Sequence, residues 1–320
     1  MGTNKKKVIA LVLSDLHISD WSKFNTNNER TLNHIKVLSI ISKTSGKHKC
    51  PVLFCGDLFH KPEILTNDLA NLCKVEFSKL EGKLTCYAIS GNHDLFNVNT
   101  VEHPQNSWVT FFENSWLKCI DFKEILISKR VKVHGVPYID HNIGLNTYLS
   151  KLDLDSKYKN ILMLHTDYPG AKDCDGRVVD SVENLNLNVL NRFDLVLCGH
   201  IHKPQRLGKK VYMIGAPLQQ RRTDRDNDLG YWELYEDLTM KFIPLQGFPK
   251  FIDVENEEDI KEDGNYYTLL SKKSSVGSNT KHKITKQLTK RSLAKKYLRE
   301  KGIKDKAKKE LLVNILKLSE

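Results

Sequence analysis

Apolar residues fall in short runs along the first two thirds of the chain: Val8 to Leu13, Val52 to Cys55, Leu84 to Ile89, Ile161 to Leu164 and Leu195 to Cys198. Runs this short, closed by turn-forming or polar residues, predict buried strands. Between the early runs the period changes. Leu32, Ile35, Leu38 and Ile41 recur at threes, and Leu65, Leu69, Leu72 and Val75 at threes and fours, which predicts two amphipathic helices. Strand, helix, strand, helix is the order of an α/β layered fold with parallel pairing at its start. Further on, "RVKVHGVPY", "KKVYMIGAP", "LGYWELYE" and "TMKFIPL" read as strands with little room for helices between them, so a mixed sheet or two packed sheets is expected.

Polar residues stand directly after these runs. "LVLSDLH" supplies Asp15 and His17, "VLFCGDLFH" Asp57, "YAISGNHD" Asn92, His93 and Asp94, "LMLHTD" His165, and "LCGHIH" His200 and His202. In α/β sheets ligands collect at strand ends, where loops aim side chains into a shared crevice. Residues two apart in an extended segment project to the same side, so Asp15 with His17, and His200 with His202, are each expected to offer two donors to one place. One such histidine pair would ordinarily be a satisfied polar feature. Its recurrence after strand upon strand points to metal.

Asp15, His17, Asp57, Asn92, His165, His200 and His202 are more donors than one ion takes, but suit two ions sharing a carboxylate, with Asp57 the natural bridge. Nitrogen and oxygen donors without thiolate favour Mn²⁺, Fe or Zn²⁺ over Mg²⁺ or Ca²⁺. His93 is expected to reach the reacting group, held and kept protonated by Asp94. A paired-ion site of this kind hydrolyses phosphate esters. His60, in "GDLFH", lies near enough in sequence to contact substrate, packing being its plainer use.

The chain has 320 residues, enough for one large domain with a small appendage, and 40% are hydrophobic. No apolar run approaches the roughly 18 residues that span a bilayer. Val8 to Leu13 is shorter than a signal-peptide core and reads as a first strand. Seven cysteines without CxxC spacing, with Cys55, Cys86 and Cys198 inside apolar runs, fit reduced thiols in a cytoplasm. The net charge of +11 is concentrated at one end: Ser271 to Glu320 holds 16 basic and 4 acidic residues. Such a tail is either a solvated arm or a surface for polyanions or an acidic partner.

In this order the motifs DxH, GD, GNHD, a lone His and GHxH resemble the signature of the calcineurin-like metallophosphoesterase superfamily. Within it, "GDLFHKPE" and "YMIGAPLQQRRTDRDNDLGYWEL" resemble the SbcD-type nuclease subunits of double-strand-break repair, including phage recombination versions, over approximately residues 8 to 250. The resemblance implies a four-layer α/β/β/α sandwich with two Mn²⁺ ions. It assigns Asp15, His17, Asp57 and His202 to one ion and Asp57, Asn92, His165 and His200 to the other, with His93 acting on the transition state or leaving oxygen and Asp94 orienting it. It further implies 3′-to-5′ exonuclease activity, endonuclease activity on single strands or hairpins, a homodimer, and an SMC-like coiled-coil ATPase as partner. If the chain is phage-encoded, the cytoplasm is the host's.

The expected domains are 1–250 for catalysis, 251–283 as an acidic then Lys/Ser-rich linker or reduced cap, and 284–320 as a basic helix-loop-helix segment. Leu311, Leu312, Ile315, Leu316 and Leu318 fit docking on the ATPase better than a purely DNA-binding arm. Arg221, Arg222 and Arg225 of "QQRRTDR" are candidates for the DNA backbone, or an exposed turn satisfied by Asp224 and Asp226. Protein phosphatases of the superfamily read GDxxDRG and GNHE where this chain has "GDLFHKP" and "GNHD". A small-molecule phosphodiesterase of cyclic-nucleotide type remains as an alternative. A non-enzymatic recombination scaffold is less in keeping with a motif set that lacks no ligand.

Overall fold

The computed structural model describes residues 6–61, 66–95, 108, 112, 116–270 and 283–284. The chain divides into two compact units, Met1–Phe251 and Ile252–Glu320.

Two mixed sheets form the first unit. One contains β1 (Val8–Leu13), β2 (Val52–Phe54), β3 (Cys86–Ala88) and β4 (Leu117–Cys119), joined in parallel. The other contains β5 (Glu124–Ser128), β6 (Val131–Gly135), β7 (Lys159–His165), β8 (Leu195–Gly199), β9 (Gln205–Leu207) and β10 (Val211–Met213), in the order β5-β6-β7-β8-β10-β9. The chain then returns to the first sheet through β11 (Gly230–Tyr235), antiparallel to β1, and β12 (Met240–Pro244). Helices α1 (Glu29–His48), α2 (Asn67–Ser78), α3 (Leu145–Lys151) and α4 (Leu187–Leu190) connect the strands.

Alternation along each strand explains the layers. Leu11 and Leu13 of β1 pack with Ile35 and Leu38 of α1 and with Cys73 and Phe77 of α2. Ala10 and Val12 point the other way, into a layer shared with Val133, Met163 and Leu197 of the second sheet. On that sheet's far face, Leu162, Leu164 and Val196 meet Leu145, Leu149 and Leu190 of α3 and α4. The order is α/β/β/α. Strands buried on both faces carry apolar residues at every position, which is why they stand out as unbroken runs.

The helical stripes are less regular than their spacing suggests. Leu32 is 37% exposed and Val75 57%, while Arg30, Thr31 and His34 are buried in their stead. A strict three-residue spacing turns steadily around a helix of 3.6 residues per turn, so such a series cannot keep to one face.

In the second unit, Phe251–Val254, Tyr266–Leu269 and Lys283–Ile284 form a three-stranded sheet, so the acidic stretch after Asp253 is flanked by paired strands. The expected tail helices, with Leu311, Leu312, Ile315, Leu316 and Leu318, lie outside the described residues. Among the described residues, no helix is long and apolar enough to cross a membrane.

Candidate metal centre

The candidate ligands stand at or just past the carboxyl ends of β1, β2, β3, β7 and β8. Asp15, His17 and His202 form one group of donors, and Asp57, His165 and His200 another; within each, the donor atoms lie within 4.8 Å of one another. Asp57 stands between the two, its Oδ2 3.6 Å from His17 Nε2 and 3.4 Å from His165 Nε2. Asn92 adjoins the second group, its Oδ1 3.2 Å from His165 Nε2 and 3.0 Å from His200 Nδ1. All seven sequence candidates are therefore brought together.

Strained backbone aims several of them. Asp15, His17, Asp57 and His200 have φ of 53°, 50°, 59° and 90°, in the left-handed region that residues with side chains seldom adopt. Asp15 and His17 offer donors to one place as expected, while the expectation that His200 and His202 do so is corrected. Both pairs lie past the ends of β1 and β8, and His200 and His202 go to different groups. Close approach of the loops also requires Gly56 and Gly91: a Cβ on the first would run into His165, and on the second into Asp57.

The donor set fits cations. His165 Nδ1 donates to the Cys55 carbonyl at 2.7 Å and His202 Nδ1 faces the Asp224 carboxylate at 3.2 Å. Each bond occupies Nδ1 and turns Nε2 inward, the arrangement that outer hydrogen bonds impose on metal-binding histidines, although, against the effect of burial, the Asp57 carboxylate raises His165 to about 9, so a cation would have to displace its proton. His17 Nε2 and His202 Nε2 stand 3.1 Å apart; two nitrogens bound at right angles to one ion of this class lie about 3 Å apart. Burial pushes His17 well down and His200 down to about 3, so both are neutral ligands at ordinary pH. Burial works against ionisation of Asp57, yet the charge and hydrogen bond of His165 beside it hold its carboxyl below the usual range.

His93 and Asp94 do not pair as expected. His93 Nδ1 bonds to the His60 carbonyl at 2.7 Å, and its backbone N–H donates to Asp57 Oδ1 at 2.8 Å. Asp94, fully buried, instead accepts from the backbone N–H groups of Asp57 (2.7 Å), Leu58 (3.3 Å), Phe59 (3.0 Å) and Gly91 (2.9 Å). Burial and the nearby Asp57 push this carboxyl up to about 7 against the pull of the amides, so its partners are the backbone and not the His93 ring. Its effect is to hold the turn that carries Asp57.

A cavity of about 440 Å³ opens over the two groups, lined in part by Trp21, His60, His93, Asp167, His200 and Arg221. His60 reaches it, its ring stacked on that of His93 at 5.1 Å. Of the basic cluster only Arg221 lines the cavity. Arg225 instead bonds to the Arg222 carbonyl and lies 3.7 Å from Asp226.

Sequence reasoning overlooked Asp224, Gln220, Trp21 and Cys174. Asp224 is 1% exposed; it lies 3.7 Å from Arg221 Nε, as the sequence suggests, and also 3.2 Å from His202 Nδ1, which the sequence does not show. Cys174 lies at the rim, grouped with His202 and Asp224, and burial together with the Asp224 charge pushes its thiol up to about 12. Nothing in the spacing marks Asp224 or Cys174; an aromatic residue four positions past His17 was the one available signal for Trp21.

This chain is similar to the DNA double-strand break repair protein Mre11 of Methanococcus maripaludis, 24% identical over 208 residues, covering 62% of this chain and 54% of that protein. It is similar to the SbcCD nuclease subunit from Staphylococcus epidermidis, 22% identical over 280 residues, covering 77% and 73%. The match thus spans about half of the archaeal relative's length. Among solved structures, a dimetal phosphatase from Danio rerio overlaps 73% of this chain and 95% of its own, with a TM-score of 0.47 and 13% identity. Residues 10–204, more than half of the sequence, match the calcineurin-like phosphoesterase family, and the chain belongs to it.

Proposed function

We propose that this protein is a two-metal-ion, Mn²⁺-dependent DNA phosphodiester hydrolase, acting as a 3′-to-5′ exonuclease and as an endonuclease on single strands or hairpins during end processing. One observation carries the chemistry: the Asp57 carboxylate lies between two groups of inward-facing nitrogen donors beneath a cavity that His93 also lines. Asp15, His17, Asp57 and His202 would hold one ion and Asp57, Asn92, His165 and His200 the other. Bound there, the ion pair supplies Lewis acidity and makes water a competent nucleophile at neutral pH.

The chain's own residues do the rest. His93 is fixed through Nδ1 to the His60 carbonyl, which leaves Nε2 for the substrate; in its imidazolium form it offers a proton to the departing oxygen. Asp94 keeps Asp57 in its strained conformation by binding the amides of the same turn. Arg221, its side chain 67% exposed at the cavity, is the phosphate contact among the three arginines.

DNA as substrate is supported by the two relatives, whose names are those of a repair protein and a nuclease component. The same reading includes a homodimer and a cytoplasmic setting, in which the seven cysteines stay free as they are here. It also assigns 1–250 to catalysis, and 284–320 to docking on an SMC-like ATPase.

The test is incubation of purified protein with end-labelled duplex and hairpin DNA in Mn²⁺, Mg²⁺ or EDTA. Mn²⁺-dependent shortening from the 3′ end, absent in Asp57→Asn and His93→Ala, is the expected result. Intact DNA alongside hydrolysis of bis-p-nitrophenyl phosphate would move the assignment to small-molecule phosphodiesters.

A further inference from the structure

Arg30, in the first turn of α1, is only 4% exposed. Its Nη1 donates to the Lys23 carbonyl at 3.2 Å and its Nη2 to that of Gln220 at 2.5 Å. These bonds fix a buried guanidinium 3.8 Å over the ring of Trp21. Trp21 is also stacked on His60, with centroids 4.8 Å apart and planes at 30°. Trp21 is thus packed against both groups, with the ring of His34 tilted beside it at 5.7 Å. His60 in turn lies parallel to His93, at 5.1 Å and 13°, and its own carbonyl receives His93 Nδ1. Four side chains thus form one column from a buried cation to the edge of the metal centre.

The indole nitrogen is informative. Trp21 Nε1 is buried without a hydrogen-bond partner, an arrangement that costs stability. The ring therefore sits where the column needs it, not where its polar atom would best be satisfied. A guanidinium and an aromatic ring are both favourable contacts for indole.

We propose that Trp21, clamped by Arg30, is a positioning residue that sets the plane of His60 and, through it, the direction in which His93 faces the substrate. The inference rests on the phosphodiesterase reading of the site. Trp21 itself touches no reacting atom. Its loss should act on the chemical step, since a small misplacement of an acid catalyst is costly even where binding is intact.

The test compares Trp21→Leu, which removes the ring, with Trp21→Phe, which retains one, in the full chain. With Mn²⁺ and bis-p-nitrophenyl phosphate, Trp21→Leu should lose kcat on the order of ten- to a hundredfold with KM and bound-metal stoichiometry unchanged, and Trp21→Phe should recover most of it. Equal losses in both variants, unchanged kcat in Trp21→Leu, or loss of metal in place of kcat would overturn the proposal. Imidazole resonances from ¹⁵N-histidine labelling, recorded with Zn²⁺, separate this from failure of the underlying reading. If the unaltered protein hydrolyses no phosphodiester, a His93 shift in Trp21→Leu but not in Trp21→Phe still supports the brace, and an unmoved His93 rejects it. Should Trp21→Leu not fold, Arg30→Lys is the second variant: reduced kcat with metal retained supports the clamp, and unaltered kcat rejects it.

Discussion

His17 Nε2 and His202 Nε2 face each other at 3.1 Å, although one follows β1 in the first sheet and the other follows β8 in the second. Packing of two sheets has brought together two ring nitrogens that can either share one proton in a hydrogen bond or release it and bind a common cation. Divalent cations should therefore stabilise the fold. At a hundredfold excess over Kd, Mn²⁺ should add about 3 kcal/mol per independent site, raising Tm in calorimetry. EDTA should reverse the gain, and Asp57→Asn should abolish most of it. A Tm indifferent to Mn²⁺ would remove the case for a metal centre.

His93 lines the cavity and lies outside the donor groups of Asp57 and Asp15, although its ring also groups with those of His17 and His60. His93→Ala should keep its full metal content by elemental analysis and lose kcat on the order of 10²- to 10⁴-fold. Loss of an ion from this variant would instead make His93 a ligand.

Asp94 serves four backbone amides with one buried carboxylate. Asp94→Ala strands those donors and should cost about 3 kcal/mol or more in urea unfolding, with activity falling as a consequence. A variant of unchanged stability but altered kcat would restore the orienting role for His93 that the sequence suggested.

Cys174 lies at the cavity yet holds its proton, its thiol pushed up to about 12 by burial and Asp224. Only the thiolate reacts, so alkylation by iodoacetamide at pH 8 should be on the order of a thousandfold slower than for an ordinary cysteine. Because the neutral form dominates below the raised value, the rate should climb about tenfold per pH unit between pH 7 and 11. Peptide mapping measures it, and rapid labelling at neutral pH would show that the carboxylate does not act on the thiol.

Arg221→Ala should raise KM for DNA and lower the slope of log affinity against log salt by about one, as expected for one lost phosphate contact. Arg225→Ala, removed from the cavity and held beside Asp226, should leave both nearly unchanged. Equal effects from the two would place DNA along the whole basic turn.

The candidate ligands were legible because each directly follows an apolar run, and a run buried on both faces is the plainest signal a chain carries. Asp57 between two donor sets was legible as well, since seven ligands exceed one ion's shell. The sequence by itself thus determined the layered α/β class and which strand-end residues converge. Which ligands share a group was not legible from spacing; only the family resemblance implied it, and the observed groups follow that division. His200 and His202 separate because left-handed turns, not strand alternation, direct the residues beyond β1, β2 and β8. Asp94 was misassigned for a related reason, as backbone amides leave no trace in residue identity. Trp21, Arg30 and Asp224 act through contacts with residues distant in sequence, Arg30 with Gln220 and Asp224 with His202. Pairing of adjacent strands brings Trp21 to His60 and His202 to Asp224, because side-chain chemistry is local to the chain while proximity is a property of the fold.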